Sequence, residues 1–320
     1  MNIYKTSKSI QFLWLITSVL FIFLLLTNPV NSAKLVNTGL ITWYKHMIPS
    51  LFPFMVLSGF LLRSGLSFQI SSLFNPILGR LFRLSPNCVY IIIMGFLCGF
   101  PMGANVIAQS LNLNKISKRE AELLLAFCNN IGPVYFISFA TAACPFYPLL
   151  ITLSIMYGVP LFYGLFLRYT RYKDINYCVK NEVSSHCPYV NANNSNNFLD
   201  AFRESLQKAI TSIVTLGAYM VVFNVLQLPL YNTFYQVTEK WLCIYKGLIE
   251  INSGINAIAR FPELYIIVYS IFLPFCGLCC FFQTYEMIKD TPLSLRNYFI
   301  HKITQTFFTL MLYVMLINVQ

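Results

Sequence analysis

Gly95 to Phe139, GFLCGFPMGANVIAQSLNLNKISKREAELLLAFCNNIGPVYFISF, is the stretch whose reading decides the fold. An apolar run is interrupted at Gly99-Phe100-Pro101-Met102-Gly103 and resumes through Asn105 and Gln109. A short charged turn follows, and then a second apolar run carries Asn129-Asn130-Ile131-Gly132-Pro133 in its middle. Proline lacks the amide donor, and glycine tolerates backbone angles that a helix interior does not use. Two such breaks in membrane-length segments leave backbone groups unpaired where no water can satisfy them. They are tolerated only where the break is buried in protein or lines a cavity. Paired broken segments also mark the binding site of secondary transporters. The plainer alternative is a pair of kinks that only pack.

Composition points the same way. Of 320 residues, 57% are hydrophobic and 10% charged, far below the ~25% charge of a soluble domain, and the mean hydropathy is +0.63. With several apolar runs near the ~20 residues that cross a bilayer, the expected class is an all-α polytopic membrane protein. The net charge of +11 does not indicate nucleic-acid binding, because the basic residues fall between apolar runs instead of forming a patch. The ten cysteines are scattered and mostly apolar in context. Cys276-Gly-Leu-Cys279 has CxxC spacing, but no second pair or nearby histidine completes a metal set, so no metal or cofactor is expected. Lys5 and Lys8 precede an apolar run from Ile10 to Leu26, longer than a signal-peptide core, which reads as an uncleaved first helix.

Four units are expected: a first transmembrane helix (1–33), a first repeat (34–167), a polar cytoplasmic linker (168–208) and a second repeat (209–320). Residues 32–46 read as mixed sequence outside the membrane or along its surface, and 66–81 as an interfacial amphipathic stretch. Ser117 with Glu120 is a capping box opening the helix that reaches the Asn129 break. Treating 89–111 and 241–259 as re-entrant hairpins leaves only Lys34, Lys45, Lys240, Lys246 and Arg260 outside, against the other 17 of 22 basic residues inside. The two halves then mirror one another: span, re-entrant hairpin, broken span, span. Inverted repeats of this kind hold substrate at the mid-membrane interface.

Asn129 and Asn130 offer amide donors and acceptors beside Gly132 and Pro133, to a ligand or to a neighbouring helix. Gly99, Pro101 and Gly103 would expose backbone amides at a hairpin tip, with Asn105 just beyond, and such tips attract anions. Glu250 lies in an otherwise uncharged segment with Asn252, Ser253 and Gly254. An intramembrane carboxylate is a functional hypothesis by default. It could carry a coupling proton or attend a coupled cation, or pair with Lys246 one turn earlier. Gln283 would extend the polar lining. His46, His186 and His301 read as solvated loop residues. No phosphate loop, nucleophile elbow or HExxH motif is present, so no catalysis is expected.

These segments resemble the sporulation integral membrane protein YlbJ (SpoVV) family, within the wider group carrying nucleoside-recognition Gate domains. The resemblance rests on residues 49–54 (PSLFPF), 99–104 (GFPMGA), 120–127 (EAELLLAF), Asn129-Asn130, Gly132-Pro133, 250–254 (EINSG), Gly277-Leu278 and Gln283. At Cys276 the family pattern leads one to expect glycine, at Phe100 tyrosine and at Ile131 a small polar residue. Membership implies a role in endospore formation and passage of dipicolinate, a small aromatic dianion, across the outer forespore membrane. The expected partners are a small anionic substrate and membrane lipids, and an oligomer is open. A nucleoside substrate and a non-transporting sporulation scaffold remain as alternatives.

Overall fold

The computed structural model describes residues 8–175, 195–229 and 239–319, and among them every regular element is helical. Five helices are long and apolar enough to cross a bilayer, or six if one bent pair counts as a span. The protein is an all-α polytopic membrane protein. Lys5, His186 and the Asn-rich tract from Asn191 to Asn194 lie outside the described residues.

Helix α1 (Lys8–Thr27) stops before Asn28, and Pro29 opens α2 (Pro29–Thr42). Proline suits a first helical turn, where its missing amide would have had no partner. Helix α2 passes through a π-helical turn, Trp43–Met47, into α3 (Ile48–Arg63), so 35 residues are continuous helix. The first helix ends at Thr27, one residue past the apolar run that marked it, and the segment 32–46, expected outside the membrane or along its surface, is helical. The widened turn explains how. Pro49 cannot donate to a carbonyl of the preceding turn, and the Ile48 amide just before it reaches back five residues to Trp43 O.

This helix lies along α10 (Ser195–Val225), where the Trp43 indole donates to Ile213 O at 2.8 Å. A Cβ on Gly39 would sit 2.9 Å from the Val221 backbone, so that contact requires glycine. At 1.5 Å per residue both helices reach roughly 45–50 Å and extend beyond a hydrocarbon core of ~30 Å. Residues 195–208, expected as linker, are the first turns of α10.

Helix α4 (Ser67–Phe74) belongs to a stretch ending at Phe82 that is bent by 97° from α5 (Pro86–Cys98). Helices α5 and α6 (Met102–Asn112) form a hairpin turning at Gly99–Pro101. The capping box is present: the Glu120 amide donates to Ser117 Oγ, and the Ser117 amide donates to Glu120 Oε2. It opens α7 (Lys118–Phe127), which breaks over 128–132 and continues as α8 (Pro133–Ala143). Helix α9 (Leu149–Thr170) closes the first half.

After α10, a second hairpin joins α11 (Glu239–Ile249) to α12 (Ile251–Ile258) through Glu250 alone. A second interrupted helix follows: α13 (residues 265–275), then Cys276, then α14 (Gly277–Ile288). Helix α15 (Leu295–Val319) is the last. One core cluster gathers α3 and α5–α7 around Met55, Tyr90 and the stacked rings of Phe82 and Phe127. A second gathers α8, α12 and α13 around Phe136, Tyr269 and Phe272, with Tyr313 from α15. Leu26, Leu150 and Phe162 point outward, as lipid-facing side chains do.

Candidate functional site

The two breaks of the first half are pressed together. Gly99 adopts φ +80°, and a Cβ there would fall on the Gly132 backbone. A Cβ on Gly103 would collide with Cys128 O. These are positions where backbone meets backbone, the usual reason for glycine. The hairpin amides offered to an anion by the sequence are engaged within the protein: Gly103 N donates to Gly99 O at 3.1 Å and Ala104 N to Asn129 Oδ1 at 3.2 Å. Asn105, whose amide donates to Pro101 O, accepts from Gln109 Nε2 at 2.9 Å. Gln109 in turn accepts from Arg63, which pairs with Glu204 of α10 at 3.3 Å.

Asn129 uses its whole amide. Beyond accepting from Ala104, its Nδ2 donates to Thr284 Oγ1 of α14 at 3.1 Å and Tyr298 Oη of α15 at 3.0 Å. It ties the first break to the second half of the chain. Asn130 turns the other way: its Nδ2 donates to Phe127 O at 2.5 Å, closing the end of α7, and Pro133 restarts the helix as α8.

In the second half the turn residue is itself the carboxylate. Glu250 is extended (φ −142°, ψ 116°), is 2% exposed and caps α12. Its oxygens accept from Asn252 N at 3.1 Å, Asn252 Nδ2 at 2.6 Å and Ser253 N at 2.8 Å. A negative group is favoured at a helix N-terminus. Asn252 Oδ1 accepts from Tyr135 of α8 at 2.7 Å, and Ser253 Oγ donates to Asn224 of α10 at 2.9 Å. A Cβ on Gly254 would fall on the Gly247 backbone, so this hairpin also closes glycine to glycine. Cys276 stands in the left-handed region at φ 72°, where the family pattern leads one to expect glycine. Buried Gln283 lies within 3.5 Å of Cys279 Sγ on its own helix.

One residue was not singled out in the sequence. Lys302, counted there among the basic residues of the inner side, is 1% exposed. Its Nζ donates to Asn130 Oδ1 at 2.8 Å and Gln305 Oε1 at 3.4 Å. The available signal was spacing: Tyr298, Lys302, Gln305, Thr309 and Tyr313 recur at helical intervals on an otherwise apolar helix, and all five are buried. His301, expected in solvent, is also buried, with its Nδ1 2.7 Å from Tyr163 Oη of α9. It lies more than a turn inside α15, not in a loop. His46 is exposed.

Fold and site together define a multi-pass membrane protein whose interior is organised around interrupted helices. Over 330 aligned residues, covering 91% of this chain and 79% of the relative, it is 23% identical to the sporulation integral membrane protein YlbJ of Bacillus subtilis (strain 168). That likeness, along nearly the whole chain, bears out the resemblance to the YlbJ family. No family model matches the chain. No solved structure matches it.

Proposed function

We propose that the protein is a membrane transporter of a small organic anion, and that the anion is dipicolinate, carried across the outer forespore membrane during sporulation. One observation carries this reading: two interrupted helices, α7–α8 and α13–α14, each lie against a helical hairpin, with Asn129, Asn130 and Glu250 buried at the breaks and turns. Irregular backbone inside a membrane protein is costly without a use, and transporters use it to form a site that can open to either side. Sporulation enters through the relative's name.

On this reading the halves 34–167 and 209–320 are inverted Gate-like repeats, and the protein carries out no catalysis. Glu250, through its contacts with Asn252 and Ser253, is the group that would take up a coupling proton or attend a coupled cation. Lipid surrounds the outward-facing apolar side chains, and protomers could associate through them.

The test is the dipicolinate content of spores lacking the protein. Deletion is expected to lower it, and the intact protein to restore it. Asn130→Ala, present at normal membrane levels, should fail to do so. Normal dipicolinate in the deletion strain would remove the proposed substrate, and a nucleoside uptake assay would follow.

A further inference from the structure

We infer that Lys302 is the cationic contact for one carboxylate of the transported anion, with Asn130 and Gln305 holding its ammonium in the unloaded protein. The inference rests on the transport reading above and supplies it with a binding residue.

The charge is buried without an opposite charge. Lys302 Nζ meets two neutral amide oxygens, and among the described residues no carboxylate pairs with it. The ionisable groups near it are the thiols of Cys128, Cys276 and Cys280, and the Tyr298 ring lies 5.9 Å away. Removing an ammonium from water is costly, and amide oxygens do not offset this as a carboxylate does.

A purely structural role is poorly served by a lysine here. The cation lies beside the C-terminal end of α7, where the helix dipole favours positive charge. Yet the last two carbonyls of α7 already have partners: Asn130 Nδ2 donates to Phe127 O and Gln305 Nε2 to Ala126 O, both at 2.5 Å. Those two carbonyls are therefore satisfied without the lysine. Those two amides leave their oxygens facing Lys302, and an ammonium has three hydrogens to donate. Two are directed at Asn130 and Gln305, which leaves the third for an incoming oxygen. The place also fits. Asn130 belongs to the first break, Cys276 is the second, and Lys302 contacts the first and lies near the second.

The test is equilibrium binding to the purified full-length chain of pyridine-2,6-dicarboxylate and of its uncharged dicarboxamide. The intact protein is expected to bind the dicarboxylate and to bind the dicarboxamide at least about tenfold more weakly. Lys302→Gln, with an unchanged thermal midpoint, should lose at least about tenfold for the dicarboxylate, while Lys302→Arg keeps part of it. Dicarboxylate binding by Lys302→Gln equal to that of the intact protein would overturn the inference and leave the transport reading standing. An intact protein that binds neither compound would overturn both. Should Lys302→Gln fail to assemble, Asn130→Asp places a carboxylate against Lys302 and should weaken dicarboxylate binding by a similar factor. Undiminished binding there would overturn the inference equally.

Discussion

At the scale of single residues, the two adjacent asparagines do different work. Asn129 satisfies one backbone amide and two hydroxyls on three other helices, whereas Asn130 closes its own helix and faces Lys302. Interhelical hydrogen bonds in membranes average roughly 0.6 kcal/mol each, so Asn129→Ala should lower stability by about 2 kcal/mol. The readout is the thermal midpoint in detergent, and a change within error would mean these bonds are dispensable. Asn129, Asn130 and Glu250 were legible in the sequence because polar side chains in apolar runs stand out. Their roles were not, because Asn129 and Asn130 read alike in one dimension. Lys302 was hidden for a different reason. Near the start of the last span it counted naturally with the loop charges, and only the helical spacing of Tyr298, Gln305 and Thr309 could have drawn it inward.

Among the elements, the breaks at Gly99–Pro101 and at 128–132 were legible because glycine and proline are punctuation that side-chain packing cannot override. In the second hairpin, expected over 241–259 without a turn position, the turn falls on Glu250, because the carboxylate can cap the helix it starts. Residues 32–46 mix polar and apolar side chains and so read as lying outside the membrane, but the widened turn at Trp43–Met47 lets one helix run through them into α3.

The close approach of the breaks gives a sharp contrast between two glycines. Gly99→Ala combines a left-handed φ with a collision against Gly132 and should cost at least about 3 kcal/mol. Gly158→Ala on α9, whose added methyl would meet only the Phe162 ring at 3.9 Å, should stay within about 1 kcal/mol of the intact protein. Thermal midpoints of the two variants check both statements together. Equal midpoints would mean that the breaks do not need their backbone contact.

For the whole molecule, hydropathy and scarcity of charge were enough to read an all-α membrane protein, since the bilayer leaves few alternatives. The extent of the helices was not legible, because α2–α3 and α10 carry apolar sequence into polar sequence without a stop signal. Topology can be tested by cysteine labelling in a cysteine-free background expressed in a bacterial inner membrane. Lys240→Cys should react with a membrane-impermeant thiol reagent in intact cells, and Arg171→Cys only after permeabilisation. The opposite pattern would invert the assigned orientation, and labelling of both in intact cells would place the two positions on one side.

Transport itself is measured most directly as uptake of labelled dipicolinate into vesicles containing only this protein and lipid. Saturable uptake above protein-free vesicles is expected, reduced by excess unlabelled dicarboxylate and reduced at least about tenfold in Lys302→Gln. Uptake by the intact, correctly folded protein no greater than in protein-free vesicles, at every dicarboxylate concentration tried, would contradict transport of dipicolinate.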